Sequence, residues 1–409
     1  LKEALLPASD GGLGIPCLTD IRLAAYVASL LATMQQWRRY IPDDNVLLST
    51  WAASTSLSAL LALLQPTVQF ASAALKDTLV FPVSSQDALV FSGTNKLQKR
   101  LVEFVDINTV ALIKQQSLTT NLARAQYLSK TQRGARAFLQ ACPTDAGLRL
   151  TNDNMILSLR LWLRLPLLPM FDAPPVLTCF CNSSTVLSEE HILNCNGLAA
   201  RDVRHNTLVL CFQDMLQAAV TNPVMLEPRA SNKSNVHYRF DLAVDAYDAN
   251  SKNLKLDVTI RNPQAKAMVA SAAAKGLAAV DDAVAYKHKK YAEFLTANDK
   301  FMPLALESFG AMHSNIFELV AGCAQRVGNL PPDTSCFLAP SFSTYWVQRI
   351  SCTLMRENCR LINVIAGTSV RNFAVQEDDA PAGLLSSLLA VAVPTTSEWS
   401  GPSAAVSSD

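Results

Sequence analysis

The spacing of three cysteines and a histidine near the middle of the chain constrains its fold more than any other feature. Cys179, Cys181, His191 and Cys195 follow the pattern C-x-C-x9-H-x3-C. Three thiolates and one imidazole are a complete ligand set for a tetrahedral structural zinc ion. His191 and Cys195 are four residues apart, so a helix would present both from one face. The pattern therefore predicts a small loop–helix unit that zinc stabilises.

The alternative is three buried thiols and a core histidine that bind no metal. The chain contains ten cysteines, and the seven outside this cluster are scattered without ligand spacing. Ten cysteines in 409 residues is far below the density of a disulfide scaffold. We therefore expect a reduced, intracellular protein, and zinc is the favoured explanation of the cluster.

Charge and hydropathy exclude several classes of protein. Lysine and arginine number 35 and aspartate and glutamate 34, which leaves a formal net charge of +1. This balance excludes a histone-like polycation, so any contact with nucleic acid must come from local basic patches. The longest apolar stretches, Leu57–Leu64 and Leu384–Val393, are shorter than the roughly 20 residues that span a bilayer. With no signal peptide after Leu1, we expect a nuclear or cytoplasmic fragment of a longer protein, without a membrane partner.

The two halves of the chain have different periodicities. Residues 18–36 have the apolar spacing of a helix, and residues 50–136 predict several more helices, with breaks near Pro66 and Pro82. Residues 148–171 predict a short helix or strand and then a proline-rich linker. The second half predicts helices at 204–225, 267–296, 315–326 and 345–365, strands at 238–247, 254–260 and 301–306, and disorder beyond 376. The expected fold class is α+β, with a helical N-terminal half.

Acidic residues and lysines form a second group. Asp241 and Asp257 lie on two strands of a predicted hairpin, and Lys287, Lys290 and Tyr291 follow on a predicted helix. One or two carboxylates together with water suit Mg²⁺. A nearby ammonium group would complete an arrangement suited to phosphodiester hydrolysis. Spacing alone makes this a weak signal, because acidic strand edges and lysine-rich helix faces are usually solvated surface.

Six motifs follow one another between Cys179 and about Ala366. They are the C-x-C…H…C knuckle, Arg204-His205-Asn206, Arg239-Phe240-Asp241, Leu256-Asp257-Val258-Thr259, Lys287-x-x-Lys290-Tyr291 and Pro303-Leu304-Ala305-Leu306-Glu307-Ser308-Phe309-Gly310. In this order they resemble the restriction-like endonuclease domain of non-LTR retrotransposon polyproteins, a PD-(D/E)XK nuclease. The segment from Leu6 to Ile15 is similar to the one that follows the reverse transcriptase core in such proteins, whereas residues 40–150 match only by position.

The resemblance implies a catalytic role for five residues. Asp241 and Asp257 would bind the catalytic Mg²⁺ or Mn²⁺. Either Lys287 or Lys290 would supply the catalytic ammonium, with Tyr291 beside it. Which of the two lysines does so stays open at this point.

The resemblance also implies nucleic-acid contacts and contains two departures. Arg204, His205 and Arg239 would bind DNA, with Arg204 and His205 contacting phosphate or helping to shape the site. Phe240 stands where the family has proline, and Thr259 stands at the usual lysine position. Similar nucleases supply this lysine from the later helix instead. Glu307 would be a structural carboxylate or a further acidic ligand, and we favour the structural role.

The implied organisation has four parts. Residues 1–165 would be a helical region resembling the reverse transcriptase thumb and connection, 166–203 the zinc knuckle and linker, 204–376 an α/β restriction-endonuclease-like core, and 377–409 a disordered tail. The chain would nick target DNA to prime reverse transcription, acting with target DNA, element RNA and the upstream polymerase region. No polymerase carboxylate motif is present, so we expect no polymerisation. The alternative is a catalytically decayed, zinc-containing nucleic-acid-binding fragment.

Overall fold

The protein consists of helices and small sheets. The computed structural model describes residues 4, 6–7, 10–13, 18–38, 53–75, 81–82, 84, 87, 96–167, 178–231, 237–248, 252–328 and 341–376. Its mixture of elements confirms the α+β class in general terms. The chain divides into two compact units, residues 1–131 and 132–409. The four functional ranges stay a prediction, and the tail at 377–409 lies outside the described residues.

The first unit is helical. Its helices are α1 (Leu18–Arg38), α2 (Thr55–Leu75), α3 (Leu97–Ser117) and α4 (Asn121–Lys130). The helix predicted at 18–36 is confirmed. The predicted break near Pro66 is wrong, because this proline lies inside α2. Leu61 and Val68 on either side of it are buried in the same core, and this packing holds the helix together despite the missing N–H.

The second unit contains the remaining helices and all the strands that the described residues form. Its helices are α5 (Asn152–Trp162), α6 (Glu189–Asn194), α7 (Ala200–Gln217), α8 (Val269–Ala274), α9 (Ala278–Tyr291), α10 (Ser314–Arg326) and α11 (Phe342–Gln376). Its strands are β1 (Thr178–Cys179), β2 (Asn182–Val186), β3 (Val224–Leu226), β4 (Arg229–Ser231), β5 (His237–Arg239), β6 (Leu242–Val244), β7 (Asn253–Arg261) and β8 (Asp299–Glu307). In the described part of the chain, no helix combines the length and apolar character needed to cross a bilayer.

A four-stranded sheet forms the centre of this unit. Its strand order is β3-β6-β7-β8, with β3–β6 and β6–β7 antiparallel and β7–β8 parallel. Parallel neighbours require a crossover, and α8 and α9 provide it. The strands pack because Leu254, Leu256, Leu304 and Leu306 are fully buried. The crossover places α9 against β7 and β8, which brings its lysines to the sheet.

Three predicted elements differ from those in the structure. The helix expected at 204–225 runs from Ala200 to Gln217, and β3 follows it. The strand expected at 238–247 is two strands, β5 and β6. Between them, the N–H of Asp241 donates a hydrogen bond to the carbonyl of Leu256. The helix expected at 267–296 is interrupted between α8 and α9, where Leu277 has a left-handed φ of 67°. Such a φ ends regular helix, so the lysines belong to α9 alone.

The last helix is longer than the sequence indicates. Its 35 residues extend beyond the predicted 345–365 at both ends. It packs along α7 and also contacts α5, α6 and β1. Its apolar face is buried at Ile350, Leu354, Leu361 and Ile365. Helix α11 therefore joins the cysteine–histidine region to the body of the second unit.

Candidate functional site

The four cysteine and histidine side chains meet at one point. Their ligand atoms all lie within 4.8 Å of one another. The Sγ atoms of Cys179 and Cys195 are 3.7 Å apart, and Cys181 Sγ lies 3.3 Å from His191 Nε2. Tetrahedral coordination with Zn–S bonds of 2.3 Å places two sulfurs ~3.8 Å apart. The cluster therefore has a suitable size and donor set for one zinc ion.

Local signals in the sequence build this cluster. Ser188 caps α6 by accepting a hydrogen bond from the N–H of His191 at 3.1 Å. Helix α6 ends at Asn194, so it carries His191 while Cys195 is its C-cap residue. The prediction that one helix face carries both residues is therefore wrong, because His191 lies in the helix and Cys195 directly after it. Cys179 ends β1, and Cys181 lies in the turn to β2.

Gly197 completes the surroundings of Cys195. Its N–H lies 3.4 Å from Cys195 Sγ. Burial raises the pKa of the Cys195 thiol, and this N–H acts in the opposite direction. A Cβ on Gly197 would lie 2.4 Å from the ring of Phe180, so a larger residue here would have to displace that ring. The turn after α6 therefore supports the sulfur as a ligand.

Two aspartates form a second cluster at the sheet. Asp241 directly precedes β6, and Asp257 lies in the middle of β7. The N–H of Val258 donates to Asp241 Oδ2 at 2.6 Å. Because Val258 follows Asp257 in the chain, this bond holds the two carboxylates close together. The predicted convergence of Asp241 and Asp257 from two neighbouring strands is present in the structure.

Helix α9 presents a lysine and a tyrosine to Asp257. Lys287 Nζ lies 2.6 Å from Asp257 Oδ2. The Tyr291 hydroxyl lies 2.6 Å from Asp257 Oδ1 and 3.1 Å from the Arg239 carbonyl, so its one hydrogen goes to the closer carboxylate. Lys287 and Tyr291 are four residues apart and therefore share a helix face. The Asp257 side chain is only 4% exposed, which makes this a nearly buried ion pair.

The electrostatics follow from this burial. Burial raises the pKa of Asp257, the charge of Asp241 raises it further, and Lys287 opposes both. Burial and the contact with Asp257 raise the pKa of Tyr291, so its hydroxyl keeps its proton at neutral pH. Burial would lower the pKa of His205, but the hydrogen bond and charge of Asp241 outweigh it and raise the pKa. Two close carboxylates thus lie in a setting where added positive charge is favourable.

The structure distinguishes the two candidate lysines. Lys287 contacts Asp257, whereas Lys290 Nζ lies over the ring of Tyr238 at 4.9 Å and that of Tyr291 at 5.1 Å. These are cation–π distances, and Tyr238 is partly exposed. Lys290 therefore lies beside the carboxylates, on aromatic rings at their edge.

The three residues predicted to bind nucleic acid occupy different environments. Arg239 is exposed and pairs with Glu227 at 2.8 Å. His205 Nε2 lies 3.3 Å from Asp241 Oδ1. Arg204 is 4% exposed, and burial lowers its pKa to about 10. Its guanidinium donates to Asn358 Oδ1 at 2.8 Å, so the buried side chain favours the alternative that Arg204 helps to shape the site.

The two departures from the nuclease pattern have local explanations. The Phe240 N–H donates to the carbonyl of Pro228 at 3.1 Å, a bond that proline at this position would lose. Thr259 is two residues from Asp257 on the same strand face, and the ammonium group that contacts Asp257 is that of Lys287. Glu307 pairs in register with Arg261, four residues along β7 from Asp257. That offset is ~13 Å of strand, which favours a structural role for Glu307.

Sequence reasoning missed Asn358 and Tyr238. Asn358 is fully buried in α11, where it accepts from Arg204 and donates to the carbonyl of Ser308 at 2.7 Å. A polar residue inside a helix carries no local sign of such a contact. An aromatic residue directly before Arg239 was the only signal for Tyr238.

No family model matches this sequence, and no curated protein matches it.

Proposed function

We propose that the chain is a metal-dependent DNA endonuclease module of non-LTR retrotransposon type. It would nick one strand of target DNA and expose a 3′ end that primes reverse transcription by the upstream region of the same polyprotein on element RNA. The observation that carries the proposal is the meeting of Asp241, Asp257 and Lys287, which come from the residue before β6, from β7 and from α9. The priming step comes from the motif resemblance alone.

The carboxylates suit the metal that this activity requires. Asp241 and Asp257 would hold Mg²⁺ or Mn²⁺, since hard cations take carboxylate oxygens and keep several waters. The raised pKa of Asp257 supports the fit, because burial and then the charge of Asp241 disfavour a second negative charge there, which a cation would offset. When bound, the cation would polarise the phosphate and lower the pKa of a water.

The protein side chains would have distinct tasks. Lys287 would stabilise negative charge that develops on the phosphate, and Tyr291 holds the orientation of Asp257 through its 2.6 Å bond. Lys290 and Arg239 would contact the DNA backbone beside the site. The partly exposed ring of Tyr238 lies under Lys290 and offers a surface on which a base could stack.

One observation favours a second candidate, a nucleic-acid-binding module without catalysis. Both oxygens of each carboxylate already have protein partners: His205 and Val258 for Asp241, Lys287 and Tyr291 for Asp257. In such a network the carboxylate oxygens already face protein groups, so fewer of them are left for a cation. The cysteine–histidine cluster would then be the main metal site of the chain.

A nicking assay distinguishes the two candidates. The 409-residue chain is incubated with supercoiled plasmid and Mg²⁺ or Mn²⁺, beside the variants Asp257→Asn and Asp245→Asn. Asp245 is an exposed aspartate just after β6 and serves as the matched control. Metal-dependent nicking that is lost only in Asp257→Asn supports the endonuclease. Binding without nicking in the unaltered chain favours the second candidate, and nicking that survives Asp257→Asn refutes the site.

A further inference from the structure

We propose that His205 is a positioning residue that fixes the Asp241 carboxylate for metal binding. The inference rests on the proposed function and deepens it. The motif resemblance leaves two roles open for His205, a phosphate contact or help in shaping the site, and the contacts of His205 favour the second. The new role follows from the contacts of helix α7 with the sheet and with the cysteine–histidine cluster.

The first observation is that Asp241 is held from two sides. His205 Nε2 approaches Oδ1 at 3.3 Å from α7, and the Val258 N–H approaches Oδ2 at 2.6 Å from β7. The backbone of Asp241 is held by the hydrogen bond from its N–H to the carbonyl of Leu256 at 3.0 Å, so only the side chain remains to be fixed. Two partners on different elements fix both the rotamer and the plane of the carboxylate. Partners of this kind orient metal ligands in proteins.

The second observation is that α7 itself is anchored next to His205. The adjacent Arg204 is buried and donates to Asn358 Oδ1 at 2.8 Å and to the carbonyl of Leu193 at 3.4 Å. Asn358 lies in α11, and Leu193 lies between the predicted zinc ligands His191 and Cys195. Neighbouring residues on a helix point about 100° apart. Arg204 therefore locks α7 to α11 and the knuckle while His205 is directed to Asp241.

The third observation concerns the alternative role of His205. A phosphate contact needs an accessible ring nitrogen, but the His205 side chain is only 33% exposed and its Nε2 lies against Asp241. The Asp241 side chain is 19% exposed, so the pair is largely enclosed. The Nε2 atom of His205 is therefore engaged by the Asp241 carboxylate and is not directed to a phosphate.

The test uses the full zinc-loaded chain and three variants. His205→Ala removes the contact, and His205→Gln keeps an N–H donor that can reach the carboxylate. Asn206→Ala changes the exposed neighbour and is the matched control. Mn²⁺ binding is measured from the electron paramagnetic resonance signal of free Mn²⁺. The kcat and KM for plasmid nicking are measured separately, and circular dichroism checks that each variant is folded.

The expected result is a loss of Mn²⁺ affinity of about 10- to 100-fold in His205→Ala, with a similar fall in kcat and an unchanged KM. His205→Gln should recover much of this loss, and Asn206→Ala should match the unaltered chain. Unchanged Mn²⁺ affinity and kcat in folded His205→Ala would overturn the inference while leaving the endonuclease intact. A raised KM with unchanged kcat would return His205 to a DNA contact. If the unaltered chain binds no Mn²⁺ beyond its zinc, the proposed function and this inference both fail.

Discussion

Replacing Lys287 with methionine should strongly destabilise the second unit. The substitution leaves the Asp257 carboxylate, 4% exposed, without its cation and beside the charge of Asp241. Removing one partner of a buried pair costs roughly 3–5 kcal/mol. Lys287 is itself 16% exposed and Tyr291 still donates to Asp257, so we expect a value near the lower end, about 3 kcal/mol.

Lys290→Met is the matched control for this substitution. It makes the same change of charge one turn away, where the ammonium lies on the rings of Tyr238 and Tyr291. An exposed cation–π contact is worth about 0.5–1 kcal/mol, so the two variants should differ by about 2 kcal/mol. The double variant Asp257→Asn/Lys287→Met should be more stable than Lys287→Met, because the buried charge of Asp257 is removed together with its partner.

The sign of the pH dependence provides a further check. The pKa of Asp257 is raised in the folded state, and removal of Lys287 should raise it further. The folded variant then binds a proton more tightly than the unfolded chain, so its stability falls as pH rises through the range between the two pKa values. The destabilisation by Lys287→Met should therefore shrink when the pH is lowered toward the raised pKa. Added Mg²⁺ should also reduce it if the carboxylates bind the cation.

Hydrogen exchange of the β7 and β8 amides is the suitable assay. The chain has two compact units, so a single unfolding transition would mix their stabilities. Exchange of the central strands reports the opening free energy of the second unit alone. Equal destabilisation by Lys287→Met and Lys290→Met would refute the reasoning. It would also remove the structural reason for assigning the site lysine to position 287.

Four further predictions test other parts of the structure. Cys195→Ser should lose bound zinc, measured by metal analysis, and should speed hydrogen exchange in residues 178–217. Cys211→Ser alters a buried thiol outside the cluster and should retain the metal. Unaltered protein that contains no zinc would contradict the site. Arg239→Gln should lower the slope of log affinity for DNA against log salt by ~0.9, as expected for one lost phosphate contact, measured by fluorescence anisotropy. Arg204→Gln should leave that slope unchanged but destabilise the fold, because its guanidinium is buried; a reduced slope in folded Arg204→Gln would restore the phosphate contact. The raised pKa of His205 means that its pair with Asp241 stabilises the protein fully below the ordinary histidine value near 6.5 and is lost as pH rises through the folded-state pKa. The opening free energy of β7 and β8, measured by hydrogen exchange, should therefore fall in the unaltered chain relative to His205→Gln as pH rises from 5 to 8, and parallel pH profiles would contradict the pair.

Local chemistry made part of the fold and site predictable. The spacing of Cys179, Cys181, His191 and Cys195 is a property of a short segment, so a turn and one helix suffice to bring the four side chains together. The helix at 18–38 and the strand at 253–261 were found because the burial of one helix face or strand face imposes a period on the sequence. The closeness of Asp241 and Asp257 was also predictable, since two antiparallel strands of one hairpin place the two residues side by side.

Only the tertiary structure decided between residues that look alike in the sequence. Lys287 and Lys290 lie on one short helix, but the parallel pairing of β7 with β8 sets which of them faces Asp257. Arg204 and His205 are adjacent polar residues, but the packing of α7 against α11 buries the first and directs the second to Asp241. These choices depend on contacts between segments as much as about 150 residues apart, such as Arg204 with Asn358. A local pattern determines which faces an element has, whereas long-range packing determines what each face contacts.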